Sequence, residues 1–416
     1  MLFFNRCHAR RLMALALAGW ALASHAQQRL SAEQAVALAL SQPHVRQDLD
    51  AEVDLARSEV LAARTWDNPV LEFSEERGDD GPQGASRESS TLLSQTFELG
   101  GRRGLRTEAA RLGVIAAEGE AEYKRMRLRA GVLRAYSAAV AAERRADVQA
   151  RAAEGLGDLA SVAGKRRAAG DLSGYESRRI AQASVQARAR RAQADAEATA
   201  ARASLAGWIG DAALTAQLDA DPPLPELPST AASGEIRTAE LDVLDARRTQ
   251  ARAAARAERR PALPLTVGIG RKRIEEGGVR DDVALLEVGV PLPLFDRNQA
   301  GRVRTAAEAE RAEAQYQRAL LQAHSHRAAA FEQARLLSAS ARQLLDDALP
   351  EAARLTTIAR ASFAEGELDL VGLLDAYDAE AELTDRALEQ QTRALDALIE
   401  LQLLSPLTIP THDPSR

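Results

Sequence analysis

Apolar positions along the chain keep two different periods, and the places where one gives way to the other predict its elements. In "LPLTVGIG", Leu263, Leu265, Val267 and Ile269 alternate with Pro264, Thr266, Gly268 and Gly270, the two-residue beat of a strand with unlike faces. "VALLEVGV" does the same through Leu286, Val288 and Val290. Beyond Pro291 and Pro293 the beat changes, and from Gly301 to Pro350 an Ala-rich, charged stretch without glycine or proline predicts a long helix. Asp296 and Asn298 stand where a helix cap is expected.

The whole pattern is read twice. "AAGDLSGYESRRI" around Gly170 returns as "AEGELDLVGLLDA" around Gly366, 196 positions on, and "RTEAARLG" at Arg106 returns as "RTAAEAER" at Arg304. "NPVLEFS" at Asn68 has its counterpart in "RPALPLTVGIG" at Arg260. The predicted organisation is therefore a first repeat over 27–218, a proline-rich linker over 219–234, a second repeat over 235–407 and a tail over 408–416. Each repeat reads as helix, β-hairpin, long helix and returning helix. The first has a helix over 31–66, strands near 69–77 and 89–98, and a long helix over 102–168. The second has a helix near 236–258, strands near 263–274 and 281–291, and a long helix over 301–365. Pro350 and the pair Gly155 and Gly157 are expected to kink the long helices, and each helix turns back at Gly170 or Gly366 into an exposed tip. Ser173 and Glu176 have capping-box spacing, and Asp369 is placed to cap the last helix. The expected object is a helical rod with strands at one end and turns at the other.

Composition narrows what such a rod can be. Of 416 residues, 46% are hydrophobic but only 4% aromatic, which suits long helices packed through small side chains. The opening "MLFFNRCHARRLMALALAGWALASHAQQ" has a basic start, an apolar run and Ser24-His25-Ala26 before a cleavage point, so 1–26 is read as a signal peptide. Three arginines leave with it, taking the formal charge from -6 to -9, and so does Cys7, the only cysteine. The mature chain then has neither disulfide nor thiol chemistry. Its arginines are interleaved with acids, which argues for solvated helix faces and against nucleic acid as a partner. No phosphate-binding loop, zinc signature or nucleophile elbow is present, and His324 and His326 are two apart on a helix, a poor metal pair. Neither an enzyme nor a cofactor is expected.

Strands of about ten residues with one apolar face fit tilted spans of a membrane barrel. Four per chain are too few to close one, since such barrels start at about 8, so copies must pool their strands. Strand counting alone admits two, three or four protomers. It also leaves open a periplasmic coiled-coil scaffold or adaptor that never enters a membrane.

The junctions "TFELGGRRGLRTEAA" at Thr96 and "VPLPLFDRNQAGRV" at Val290 resemble those of the TolC-like outer-membrane efflux channels, particularly the branch serving heavy-metal efflux pumps. The resemblance spans Leu30 to about Leu407. It implies a mainly α fold with a transmembrane β part: a trimeric TolC-like α/β barrel in which three protomers form a 12-stranded outer-membrane barrel continued by a periplasmic helical barrel. It further implies a passive exit duct in the bacterial outer membrane, reaching into the periplasm. The implied partners are two further copies of the chain, outer-membrane lipid, a periplasmic adaptor and an inner-membrane transporter of the RND type. A duct of the same fold for drugs or secreted protein is the neighbouring alternative. By the same resemblance Gly100, Gly101, Pro291 and Pro293 mark the barrel-to-helix junctions. Gly170, Asp171, Leu172, Gly366 and Leu368 mark tips that face adaptor and pump. Glu367, Asp369 and Asp375 belong to the periplasmic aperture, where three copies of Asp375 would favour cations. Gly372 stands where that family often has another aspartate.

Overall fold

A computed structural model describes residues 29–81, 84–213, 215, 218–219, 227, 237–261, 263–276 and 278–404. The expected signal peptide with Cys7, the tail and all of the linker except Asp219 and Leu227 lie outside the described residues.

Helix α1 (Ala32–Ser41) opens with a complete capping box between Ser31 and Gln34. It ends before Pro43, which begins α2 (Pro43–Arg64). The single helix expected over 31–66 is thus two, because a proline cannot donate to the preceding turn but fits the first turn of a new helix. Strands β1 (Val70–Gly81), β2 (Gly84–Leu99), β3 (Leu263–Glu276) and β4 (Val279–Gly289) form one antiparallel sheet in sequence order. The first two run further into the glycine-rich turn than expected. The fourth stops before Val290, since Pro291 next to it has no N–H for a ladder.

Helix α3 (Arg102–Ala169) is continuous over 68 residues. It returns through α4 (Gly174–Ile209), and α5 (Ala239–Arg259) leads into the second hairpin. Helix α6 (Gln299–Arg342) passes through a π-helical turn at Gln343–Ala348 into α7 (Leu349–Glu365), and α8 (Leu370–Leu403) comes last. The π turn answers Pro350: a proline has no N–H and its ring clashes with the carbonyl four residues back, and the wider turn absorbs both faults. The Leu349 N–H accordingly reaches back five residues, to the Leu344 carbonyl. At Gly155 and Gly157, where a kink is expected, α3 keeps its helical assignment without interruption, because glycine retains its N–H. Gly155 serves packing instead. A Cβ there would lie 2.2 Å from the Tyr377 hydroxyl oxygen, so only glycine lets α8 seat that buried ring against α3.

The chain divides into two compact units. One combines 1–46, 127–233 and 328–402, and its largest core gathers Val36, Val132, Tyr136, Val140, Leu205 and Ile209. Burial pushes the Tyr136 hydroxyl pKa up to about 12. That hydroxyl donates to the Leu30 carbonyl at 2.8 Å and the Asp219 carbonyl at 3.2 Å, tying the two backbone segments joined by the Leu30–Leu218 bridge. The other unit, 47–126, 234–327 and 403–416, contains the sheet, and Ala239 and Val243 pack there with Tyr123 and Met126.

Candidate functional site

Paired residues of an antiparallel sheet point to one face, and the register sorts the four strands into two unlike surfaces. Leu71, Leu93, Ile269 and Leu286 form one cross-strand row. Gln95, Val267 and Val288 form the next row on that face, then Phe97 with Leu265, then Leu99 with Leu263. Six of the seven strand residues anticipated from sequence therefore share a single apolar face, and Val290, also exposed, follows just past the paired stretch. Leu71, Phe73, Leu93, Phe97 and Leu99 complete it. Sequence reading missed these five because β1 and β2 are diluted with Ser, Thr and Glu, and their alternation shows only against a partner strand. The face is exposed to a degree unusual for such side chains: Leu71 is 69%, Phe73 67% and Leu286 74% accessible.

The opposite face is mixed, with small and acidic residues among Val70, Leu92, Ile274, Val279, Val283 and Leu285. Gly268 and Gly270 lie on it among Ser74, Ser90 and Ser94, and a Cβ on Gly268 would crowd Leu92 and Glu287. Glu72, Glu76, Glu88, Glu98, Glu276, Asp281 and Glu287 all point this way, against one strand base among the described residues, Lys272, which pairs with Glu88, while Arg106 of α3 pairs with Glu98. Seven carboxylates against one strand lysine and Arg106 of α3 leave this face net negative.

The two strand-to-helix junctions are built differently. Gly100 and Gly101 take positive φ angles of 90° and 75°, which fold β2 into α3 within two residues. After β4 the chain needs nine residues, 290–298, before α6 begins. Pro291 and Pro293 hold this segment out of the ladder, and it leaves Leu292, Leu294 and Phe295 exposed, the last at 91%. Neither Asp296 nor Asn298 caps α6 with its side chain. The Asn298 N–H donates to Asp296 Oδ1 at 2.8 Å, and Asn298, at φ 59°, turns its amide to Glu258 at the end of α5. Glu258 also accepts from Arg102, the first residue of α3. The Arg102 hydrogen bond above all, aided by Asn298, holds the Glu258 carboxyl below its ordinary pKa against the opposing effect of burial. One carboxylate thus ties three helix ends beneath the sheet. Gly301 makes room, since a Cβ there would meet Asn298 Oδ1 at 2.3 Å.

The tips are near-copies of each other. At the first, Gly170 has φ 88°, its N–H reaches the Arg167 carbonyl, and the Asp171 N–H reaches that of Arg166 at 2.9 Å. At the second, Gly366 has φ 82°, its N–H reaches Phe363, and Glu367 reaches Ser362 at 2.8 Å. Both are Schellman turns, which require a left-handed residue after the last helical one. Leu172 and Leu368 follow at equivalent places, and Ser173 and Asp369 then cap the returning helices, with Asp369 Oδ1 accepting the Gly372 N–H at 2.8 Å. Gly372 carries no side chain because Leu368 lies over it, 2.7 Å from where a Cβ would be.

The three aperture residues do not gather in one cluster. Glu367 is an exposed turn residue and Asp369 is committed to its cap. Asp375 lies six residues further along α8, roughly 120° around the helix. It is exposed beside a groove of about 460 Å³ that Leu355, Ile358 and Leu368 also line. His324 and His326 are both exposed. Among the described residues no cluster of His, Cys, Asp or Glu could hold a metal ion, and no helix is long and apolar enough to cross a membrane.

Residues 230–405 match the family described as outer membrane efflux protein. The chain is 28% identical over 363 residues to the cobalt-zinc-cadmium resistance protein CzcC of Cupriavidus metallidurans, covering 83% of each. Among solved structures it is similar to the CmeC outer membrane channel of Campylobacter jejuni, with a TM-score of 0.72 at 15% identity over 90% of this chain and 85% of that one. CusC, whose structures concern folding and transmembrane channel formation, gives 0.71 at 18% identity over 90% and 92%.

Proposed function

We propose that this chain belongs to the outer membrane efflux protein family that its residues 230–405 match, and is the outer-membrane channel of a tripartite efflux system and a passive exit duct for heavy-metal cations. The sheet carries this reading. One face is apolar along four cross-strand rows, the other is net negative, and β1 and β4 are both left as open edges. In lipid every unpaired backbone group costs several kcal/mol, so the edges must be met by strands of other copies. Three copies give 12 strands, a closed wall with leucines toward lipid and carboxylates toward water. A water-soluble scaffold would gain nothing from displaying Leu71, Phe73, Ile269 and Leu286 as one continuous exposed surface.

Cations are favoured by the net negative charge of the inner wall, and heavy metals by the similarity to a cobalt-zinc-cadmium resistance protein. In this reading the α3–α4 and α7–α8 hairpins line the periplasmic entrance. Their tips, Gly170-Asp171-Leu172 and Gly366-Glu367-Leu368, meet a periplasmic adaptor, and Asp375 sets the charge of the aperture beneath an RND-type inner-membrane transporter. The division into two repeats about a proline-rich linker fits the matching tip geometries. Deleting the gene should raise sensitivity to divalent transition metals, and the protein should fractionate with outer membrane as a trimer in mild detergent. A soluble monomer, or sensitivity to dyes and antibiotics with metal tolerance untouched, would refute the assignment.

A further inference from the structure

The leucine-bearing face of the sheet does not stay apolar along its whole height. One row beyond Ile269 and Leu286, roughly 7 Å further along the strands, comes Arg271, paired across the sheet with Thr91 and Ala284. The next row holds Glu75, Arg273 and Asp282, and the one after it Arg77, Arg87, Glu275 and Arg280. Five arginines thus stand against three carboxylates on the side of the sheet whose reverse is net negative. The pairing within the patch is incomplete. Asp282 takes Arg273 at 3.0 Å and Glu275 takes Arg280 at 3.6 Å, but Glu75 alone serves both Arg77 and Arg87, at 2.9 and 2.6 Å. Arg271 makes no hydrogen bond or ion pair among the described residues, and it is exposed. Among the described residues of these three rows, two guanidinium charges are left over, directly above an apolar band.

From this juxtaposition we propose that Arg77, Arg87, Arg271, Arg273 and Arg280 form a binding surface for the phosphate groups of an anionic outer-leaflet lipid. The inference rests on the outer-membrane reading, which places lipid chains against this band. A lipid whose chains cover Leu71, Phe73, Ile269 and Leu286 must place its headgroup one or two rows higher, which is where the surplus charge lies. Guanidinium forks match phosphate oxygens in bidentate fashion, and exposed pairs like these exchange partners at little cost. An uncharged headgroup would leave the surplus unanswered.

Full-length protein purified from outer membranes in mild detergent tests this by native mass spectrometry with three probes: bis-phosphorylated lipid A, its dephosphorylated form and inorganic phosphate. The phosphorylated lipid should be retained, the dephosphorylated one should bind at least about tenfold more weakly, and millimolar phosphate should not displace the lipid. The double variant Arg87→Gln/Arg271→Gln should lose about tenfold in lipid affinity, whereas Glu75→Gln, which frees two arginines, should tighten it. Equal binding of both lipids, unchanged affinity in both variants, or displacement by inorganic phosphate would overturn the lipid site while leaving the duct intact. Absence of a trimer from the outer-membrane fraction of the same cells would instead overturn the reading beneath it.

Discussion

Single residues in this protein act mostly by what they make room for or hold together. Gly155 admits the buried Tyr377 ring, whose hydroxyl sits where a Cβ would be. Gly155→Ala should therefore destabilise the helical unit by about 1–3 kcal/mol, the usual cost of overfilling a packed site. Tyr377→Phe in the same chain should recover most of the loss, which thermal unfolding in detergent will measure. Failure of that rescue would mean that glycine is needed there for another reason. Glu258 acts by holding. Its pKa is depressed in the fold, so the node contributes stability at pH values above the ordinary glutamate pKa and loses it as pH falls through the lower, folded one. Glu258→Gln should lower stability at neutral pH by about 1–3 kcal/mol. It should also flatten the acid limb of the stability profile. An unchanged acid limb would show that the node is not the group titrating there.

At the scale of elements, the sheet offers a comparison between neighbours. Leu286 lies in the apolar row and Leu285, one residue away, lies on the opposite face in a row with Gly270, Leu92 and Glu72. Leu286→Arg should cost about 2–4 kcal/mol, the range for arginine facing the middle of a bilayer, and should reduce the assembled trimer in outer-membrane fractions. Leu285→Arg should be far milder, because it faces away from the apolar band, toward the side that carries the carboxylates. Equal effects would remove the distinction between the faces. Helices tell a parallel story of punctuation. Proline at 350 forces a π turn because it removes a donor, while glycine at 155 and 157 leaves α3 intact because it removes only a side chain. Both residue types break helices by reputation, but only one of them breaks the hydrogen-bond ladder.

For the whole molecule, charge is the property by which the proposed duct is tested. In the proposed duct, seven carboxylates against one strand lysine and Arg106 on this face of each copy should favour cations, and the field grows with the number of copies. Replacing Glu72 and Glu287 together by glutamine should shift the reversal potential in a salt gradient toward zero in planar bilayers. Asp375→Ala tests the aperture separately. A larger shift from Asp375 than from the pair would locate selectivity at the periplasmic entrance, and no shift from either would end the electrostatic account.

Much of this was legible in the sequence, and physics explains which parts. Strand alternation, the turns at Gly170 and Gly366, the Ser173–Glu176 box and the Asp369 cap all depend on residues within a few positions of one another, so spacing alone specifies them. The same locality made four strands per chain visible. What only the tertiary structure decided involves partners far apart in the chain: the register that puts Phe73 and Arg271 in one row, Glu258 joining the ends of three helices, and Tyr377 explaining Gly155. A period tells a residue which way to point, but distant strands and helices must meet before that direction becomes an apolar face, a net negative one or a packed joint.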